Sequence, residues 1–308
     1  MEPTAIVFAY HNVGVRCLSV LLAHGMNIPL VITHRDNPGE NIWFDSVAKL
    51  AALHDIRVIT PDDPNADEIL NIINKLRPDY FFSFYYRLML QQALLALPRM
   101  GAFNMHGSLL PQYRGRVPVN WAIINGETQT GATLHRMNEK PDNGEIVDQQ
   151  AVPILPDDTA FDVFNKVTVA AEITLDRCLP ALLDGSASLR KQDLRLGKYY
   201  GGRKAEDGRI DWRQSAQQIH NLVRAVAPPF PGALTSIQGK PVKILRSMLE
   251  QEKTPRSATA SFYVENNRLY ADCGAGVLRI LAIELAGVDI PPETLPRHFN
   301  IGELRPDS

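Results

Sequence analysis

The first half of the chain repeats one pattern: a short apolar run, a turn, then a longer stretch whose apolar residues recur every three or four positions. Apolar runs of this length bounded by turn signals read as strands buried on both faces, and the 3.6-residue spacing reads as helices packed over them. Strands are predicted at residues 5–9, 30–34, 57–60, 80–84, 102–106 and 133–137, with helices at 15–24, 44–54, 66–76 and 118–125. Alternation of this kind builds a mostly parallel sheet from βαβ units. A longer helical pattern at 160–183 stops at Asp184-Gly185, where glycine can take the left-handed position beyond a helix end.

The pattern then changes. Residues 186–211 are polar and glycine-rich, including Tyr199-Tyr200-Gly201-Gly202-Arg203-Lys204, and read as a loop or linker. A helix is predicted at 216–226 and is stopped by Pro228-Pro229-Phe230-Pro231-Gly232, because proline cannot donate the next helical hydrogen bond. Short β-like runs follow at 233–237, 242–245, 260–264, 268–271 and 277–284, the signature of a small barrel or sandwich. The expected organisation is an α/β catalytic domain over 1–188, a linker over 189–211 and a small β domain over 212–308.

Composition narrows the function classes. The 308 residues carry 32 Lys+Arg against 34 Asp+Glu, so the chain has no global electrostatic footprint for a polyphosphate backbone, and no nucleic-acid partner is expected. The three cysteines, Cys17, Cys178 and Cys273, are far apart and outside any metal or redox spacing, which reads as reduced thiols. The chain opens on a buried-strand pattern rather than a basic, cleavable leader, and no apolar stretch reaches the ~20 residues that span a bilayer. A cytoplasmic protein without membrane insertion is the expectation.

The first turn, Tyr10-His11-Asn12-Val13-Gly14, lacks the GxGxxG that lets a backbone approach a pyrophosphate, so NAD is not expected; nor is there a GxxxxGK[ST] loop. His11 and His34 have no carboxylate or cysteine cluster beside them, and no metal is expected. The chemistry points instead to Asn104 and His106. Side chains two apart on a strand share a face, and ligands of open α/β sheets gather at the carboxyl ends of strands. Asp142 lies in a turn after a later strand; if it reaches the imidazole, carboxylate, proton carrier and amide donor together suit transfer of a carbonyl group to a nucleophile. Taken singly, the three residues also fit a strand-end asparagine, a hydrogen-bonded histidine and an ordinary turn aspartate. Between them, Arg114 and Arg116 precede a helix and could hold an anionic group.

These motifs are similar to those of a known family. His106-Gly-Ser-Leu-Leu-Pro-x-Tyr-Arg-Gly, Asn120-Trp121, Asn125-Gly-Glu-Thr-x-Thr-Gly131 and Asp142-x-Gly-x-Ile146-Val147 resemble the formyltransferases that use 10-formyltetrahydrofolate. Phe8-Ala9-Tyr10-His11, the run from Thr33 to Glu40, the run from Phe82 to Arg87, and Leu134-His135-Arg136-Met137 resemble most those that formylate UDP-4-amino-4-deoxy-L-arabinose in lipid A modification and polymyxin resistance. The likeness covers roughly residues 4–245.

The resemblance implies a Rossmann-like domain without a dinucleotide followed by an OB-like β-barrel, with Asn104, His106 and Asp142 matching the catalytic triad. Leu88, Met89, Leu90, Arg116, Asn138, Glu139, Lys140, Pro141 and Asp142 match segments lining the site of the co-substrate, 10-formyltetrahydrofolate. Tyr113, Arg203 and Lys204 are candidates for holding the nucleotide-sugar acceptor. Alternatives are a dTDP-linked amino sugar, the methionine of initiator tRNA, hydrolysis of the formylfolate, or a non-catalytic folate- or sugar-nucleotide-binding module. A tRNA enzyme would need an extended basic surface, which the charge balance does not supply.

Overall fold

The apolar runs become the centre of a seven-stranded sheet, in a computed structural model that describes residues 3–257, 259–299 and 304–307. In chain order its parallel part comprises β1 (Thr4–Ala9), β2 (Asn27–Ile32), β3 (Arg57–Ile59), β4 (Tyr80–Phe84) and β5 (Gly101–His106). The helices α1 (His11–Ala23), α2 (Val47–Leu53), α3 (Asp67–Leu76) and α4 (Gln92–Leu95) intervene. A short strand β6 (Arg114–Gly115) and the helix α5 (Pro118–Ile124) lead to β7 (Gln129–Arg136), β8 (Ile146–Pro153) and the long helix α6 (Ala160–Leu183), after which Gly185 takes φ +77°. Strand order is β3-β2-β1-β4-β5-β7-β8, with β7 antiparallel to β5. All five residues of β4 are buried, as expected for an inner strand covered on both faces.

Local chemistry explains the main departures from the pattern. The helix expected from residue 44 begins at Val47, because Ser46 caps it by accepting the Lys49 N–H at 3.3 Å and so leaves Trp43 and Phe44 in the loop. The helix expected from residue 15 begins at His11, whose own Nδ1 accepts the Asn12 N–H at 2.9 Å. Strand β8 was not anticipated; its centre, Val147-Asp148-Gln149-Gln150, is polar and half-buried, consistent with its place at the end of the strand order.

Two compact units emerge: one comprises Met1–Pro118, Gln129–Val152 and Asn165–Gly201, the other Val119–Thr128, Pro153–Phe164 and Gly202–Ser308. Within the stretch 189–211, β9 (Tyr199–Tyr200) pairs in parallel with β6 inside the first unit. The second unit sets α7 (Ala216–Val226), capped by a reciprocal Ser215/Gln218 box, against an antiparallel sheet. Its strands are β10 (Ala233–Ile237), β11 (Lys240–Glu250), β12 (Ser261–Glu265), β13 (Arg268–Asp272), β14 (Val277–Leu285) and β15 (Val288–Ile290). The path β10-β11-β14-β13-β12 is open among the described residues, and register shifts at Ile244–Ser247 bend β11. Ile219, Val223, Ile244, Leu278 and Ile280 form its core.

Candidate active site

Strand β5 delivers Asn104 and His106 to one face at its carboxyl end, and the antiparallel register sets His135 of β7 directly opposite Asn104. The Asn104 amide nitrogen lies 3.2 Å from His135 Nε2. His135 Nδ1 is 2.9 Å from the Arg136 carbonyl, an acceptor only, so Nδ1 carries the proton. In the neutral ring Nε2 is then an acceptor for one Asn104 N–H, and the other is not engaged by His135. The same reasoning fixes His106: its Nε2 donates to the Tyr113 carbonyl at 2.8 Å, so its exchangeable nitrogen is Nδ1.

Both rings converge on one carboxylate. Asp142 Oδ1 lies 3.5 Å from His106 Nδ1 and 3.5 Å from His135 Nε2, while Oδ2 accepts the Gly115 N–H at 2.7 Å. At 3.5 Å the Asp142–His106 pair is an electrostatic contact rather than a short charge-assisted hydrogen bond, so Nδ1 keeps its freedom to exchange a proton. The side chains of His106, His135 and Asp142 are 6%, 2% and 10% exposed, so these charges act with little solvent screening. Burial alone would push the Asp142 carboxyl up; the imidazoles of His106 and His135 in their protonated form, with the Gly115 N–H, outweigh it and hold the group well below the usual carboxylate range.

Left-handed backbone conformations recur around the site. Asp142 and Tyr113 both sit at φ +55°, uncommon for residues with a side chain, though aspartate tolerates it by local hydrogen bonding. Gly115 at φ +102° is where the loop meets β9; a Cβ there would run into the Tyr200 carbonyl, so the close pairing of β6 with β9 requires glycine. The Tyr113 ring stacks on Tyr200 with centroids 5.0 Å apart, and Ser108 Oγ donates to the Gln112 carbonyl at 2.6 Å, which folds the loop back on itself. Tyr113 is thereby buried, and its contribution to His106 is made through its backbone carbonyl.

The other sequence-predicted residues spread more widely. Leu88 and Met89 are exposed after β4, whereas Leu90 packs into the core beside Leu94 and Phe81. Met137 packs against that same cluster. Asn138, Glu139 and Lys140 are exposed, Pro141 is half-buried, and Asn138 Oδ1 accepts the Lys140 N–H at 2.9 Å. Arg116 is exposed, its own N–H donating to the Tyr200 carbonyl at 2.9 Å. Arg114 is not available for an anion: its guanidinium donates to Asn143 Oδ1 and to the Leu194 and Gly197 carbonyls. Arg203 and Lys204 belong to the second unit, where Lys204 N donates to Asp207 Oδ2 at the start of a short 3₁₀ turn.

His135 is the residue that sequence reasoning passed over. Its run, Leu134 to Met137, was noticed as a motif, but the strand period alone does not say which residue of β7 stands across from Asn104. His11 and His34, the pair considered for a metal, are absorbed in aromatic stacks on Phe44 and Tyr86. Burial, reinforced by the Arg87 charge, pushes His11 down to about 3 and His34 down to about 4, so both rings are neutral near pH 7. Among the described residues no group of three or more His, Cys, Asp or Glu is placed to hold a metal ion, and no helix is long and apolar enough to cross a membrane.

Leu88 and Met89 expose apolar side chains, and Asn138, Glu139 and Lys140 expose polar ones, so the residues present supply the two kinds of contact, apolar face and hydrogen-bonding edge, that a folate's flat heteroaromatic ring takes. Comparison with known proteins places the fold and the family. The N-formyltransferase of Helicobacter canadensis, solved with folinic acid and dTDP-3-aminofucose, superposes with a TM-score of 0.72 at 24% identity, covering 91% of this chain and 98% of that one. WlaRD, a sugar 3N-formyltransferase solved with dTDP and 5-N-formyl-THF, gives 0.69 at 22% identity over 91% and 98%. A variant of HypX from Aquifex aeolicus gives 0.65 at 17% identity over 97% of this chain and 48% of that one. At these identities the structures speak to the fold. Residues 19–179 match the family model described as formyl transferase, and residues 203–292 match its C-terminal domain. With more than half of its length accounted for by these two models, the chain belongs to the formyl transferase family.

Proposed function

We propose that the protein transfers the formyl group of 10-formyltetrahydrofolate to the amino group of a nucleotide-linked amino sugar, and that the acceptor is UDP-4-amino-4-deoxy-L-arabinose. The observation that carries formyl transfer is the convergence of Asn104, His106 and Asp142 in a member of this family. The sugar class is supported by relatives solved with dTDP or dTDP-3-aminofucose, and the UDP sugar by the Thr33–Glu40 and Phe82–Arg87 motifs.

Folate brings the one-carbon unit already activated for transfer. The chain's residues divide the remaining tasks. The Asn104 N–H not engaged by His135 donates to the formyl oxygen as negative charge develops there. His106 Nδ1 is the site for the proton that leaves the attacking amine and ends on the departing nitrogen, while its Nε2–H stays fixed on the Tyr113 carbonyl. Asp142, ionised across the neutral range, stabilises positive charge on His106 while that proton is in transit.

The test is an acceptor panel: purified protein with formylfolate and UDP-4-amino-4-deoxy-L-arabinose, a dTDP-4-amino sugar or charged initiator tRNA, at two salt concentrations. A few local contacts to a diphosphate predict a shallow salt dependence, whereas tRNA predicts a log–log slope of roughly −0.7 to −0.9 per phosphate neutralised. Preference for the dTDP sugar would replace the UDP acceptor and keep the class. Efficient, salt-sensitive formylation of tRNA alone would overturn the sugar assignment.

A further inference from the structure

The turn that carries Asp142 is held from outside by a segment that looked like a linker. Gln192 Nε2 donates to the Asp142 carbonyl at 2.9 Å and to the Gly144 carbonyl at 2.6 Å, spending both amide hydrogens on this turn. Arg190 and Ile146 exchange two backbone hydrogen bonds of 2.8 Å, which align the segment along the start of β8. Farther on, Arg114 joins Asn143 Oδ1 at 3.0 Å to the Gly197 carbonyl at 2.9 Å, so the turn, the loop after β5 and the 190–197 segment are tied together. At Gly197 the segment lies against the Pro111 carbonyl with no room for a Cβ.

This arrangement answers a physical question about Asp142. A residue with a side chain at positive φ is uncommon and persists where its surroundings hold it there. Asp142 has φ +55°, and its carboxylate must point inward to meet two imidazoles at 3.5 Å. Its inward hydrogen bond to Gly115 fixes one oxygen, but the backbone needs donors of its own. Gln192 supplies them.

We propose that Gln192 is a positioning residue: by clamping the Asp142 and Gly144 carbonyls it holds the strained turn that presents the carboxylate to His106 and His135. The proposal rests on the formyl-transfer reading for its kinetic consequence and on the geometry alone for its structural one. Gln192→Met keeps the length of the side chain and removes both donors, and Gln192→Asn, one methylene shorter, serves if the first variant does not fold.

Two readouts separate the possibilities. In a variant of unchanged Tm, the ring resonances of His106 and His135 should move toward their positions in Asp142→Asn; resonances identical to wild type would overturn the proposal whatever the enzyme's activity. In the kinetic cycle, Gln192→Met should lower kcat at saturation by about 10–100-fold, with the acceptor KM within threefold, and should cost almost nothing more in the Asp142→Asn background. An equal loss in both backgrounds would mean that Gln192 acts elsewhere and would also overturn it. If wild type formylates no acceptor, the function is wrong and the ring resonances alone decide the role of Gln192.

Discussion

Replacing Asp142 with Asn removes one charge and almost no volume. The amide oxygen can still accept the Gly115 N–H, so the main loss is the carboxylate 3.5 Å from His106 Nδ1. Two unit charges at 3.5 Å interact by about 4.7 kcal/mol at an effective dielectric constant of ~20 and by about 1.2 kcal/mol in bulk water. With both side chains almost wholly buried, the value belongs toward the upper end. If positive charge grows on His106 in the transition state, Asp142→Asn should lower kcat by roughly 10²–10³, at 1.36 kcal/mol per tenfold. Because Asp142 is held well below the usual carboxylate range, it is ionised across pH 6–8, and the ratio of wild-type to variant kcat should not itself follow an Asp142 titration in that window. Tetrahydrofolate release at saturating concentrations of both substrates measures it, with thermal unfolding to verify folding. A folded variant within threefold of wild type would refute the charge argument and leave Asp142 as a turn residue.

His106→Ala should leave a folded protein with kcat lowered by ~10²–10⁴, the range for a lost acid–base group, and unchanged turnover would remove His106 from the chemistry. Asn104→Ala should cost on the order of 10²–10³ in kcat with a smaller change in folate affinity; lost folate binding with turnover retained at saturation would make Asn104 a binding residue. Gly115→Ala, which sets a Cβ against the Tyr200 carbonyl at φ +102°, should destabilise by about 2–4 kcal/mol in denaturant unfolding, and a midpoint equal to wild type would show that β6 and β9 can part freely. The depressed Asp142 carboxyl contributes stability that is complete above the unfolded value of about 3.9 and is lost as pH falls through its lower folded value. The Tm gap between wild type and Asp142→Asn should therefore narrow only below about pH 4, and a gap that closes between pH 5 and 7 would contradict the direction of the shift.

The candidate site combines local devices with contacts between segments distant in sequence. One strand, β5, presents both Asn104 and His106; one strained turn presents Asp142; and backbone carbonyls at Tyr113 and Arg136 choose the protonated nitrogen of each imidazole. A carbonyl can only accept, so these two contacts set the roles of His106 Nδ1 and His135 Nε2 before any substrate arrives.

The sequence alone determined what local periodicity and side-chain chemistry can encode. The parallel strands were legible because strands buried on both faces must be apolar throughout, as in Tyr80–Phe84, and α7 because its helical pattern meets a proline stop just after Ala216–Val226. Asn104 and His106 were recognisable as a pair because the strand period puts them on one face. Strand β8 escaped, since an edge strand with a polar centre has neither a continuous apolar run nor a clean alternation. His135 escaped because its place across from Asn104 depends on the register of two strands that are distant in sequence. The segment 190–200 was hardest to read: its composition is that of a solvated loop, and its purpose lies in hydrogen bonds from Gln192, and to the Gly197 carbonyl, that reach across some fifty to eighty residues of chain. Composition reports what a segment can bury, whereas only the tertiary structure decides which carbonyls its donors meet.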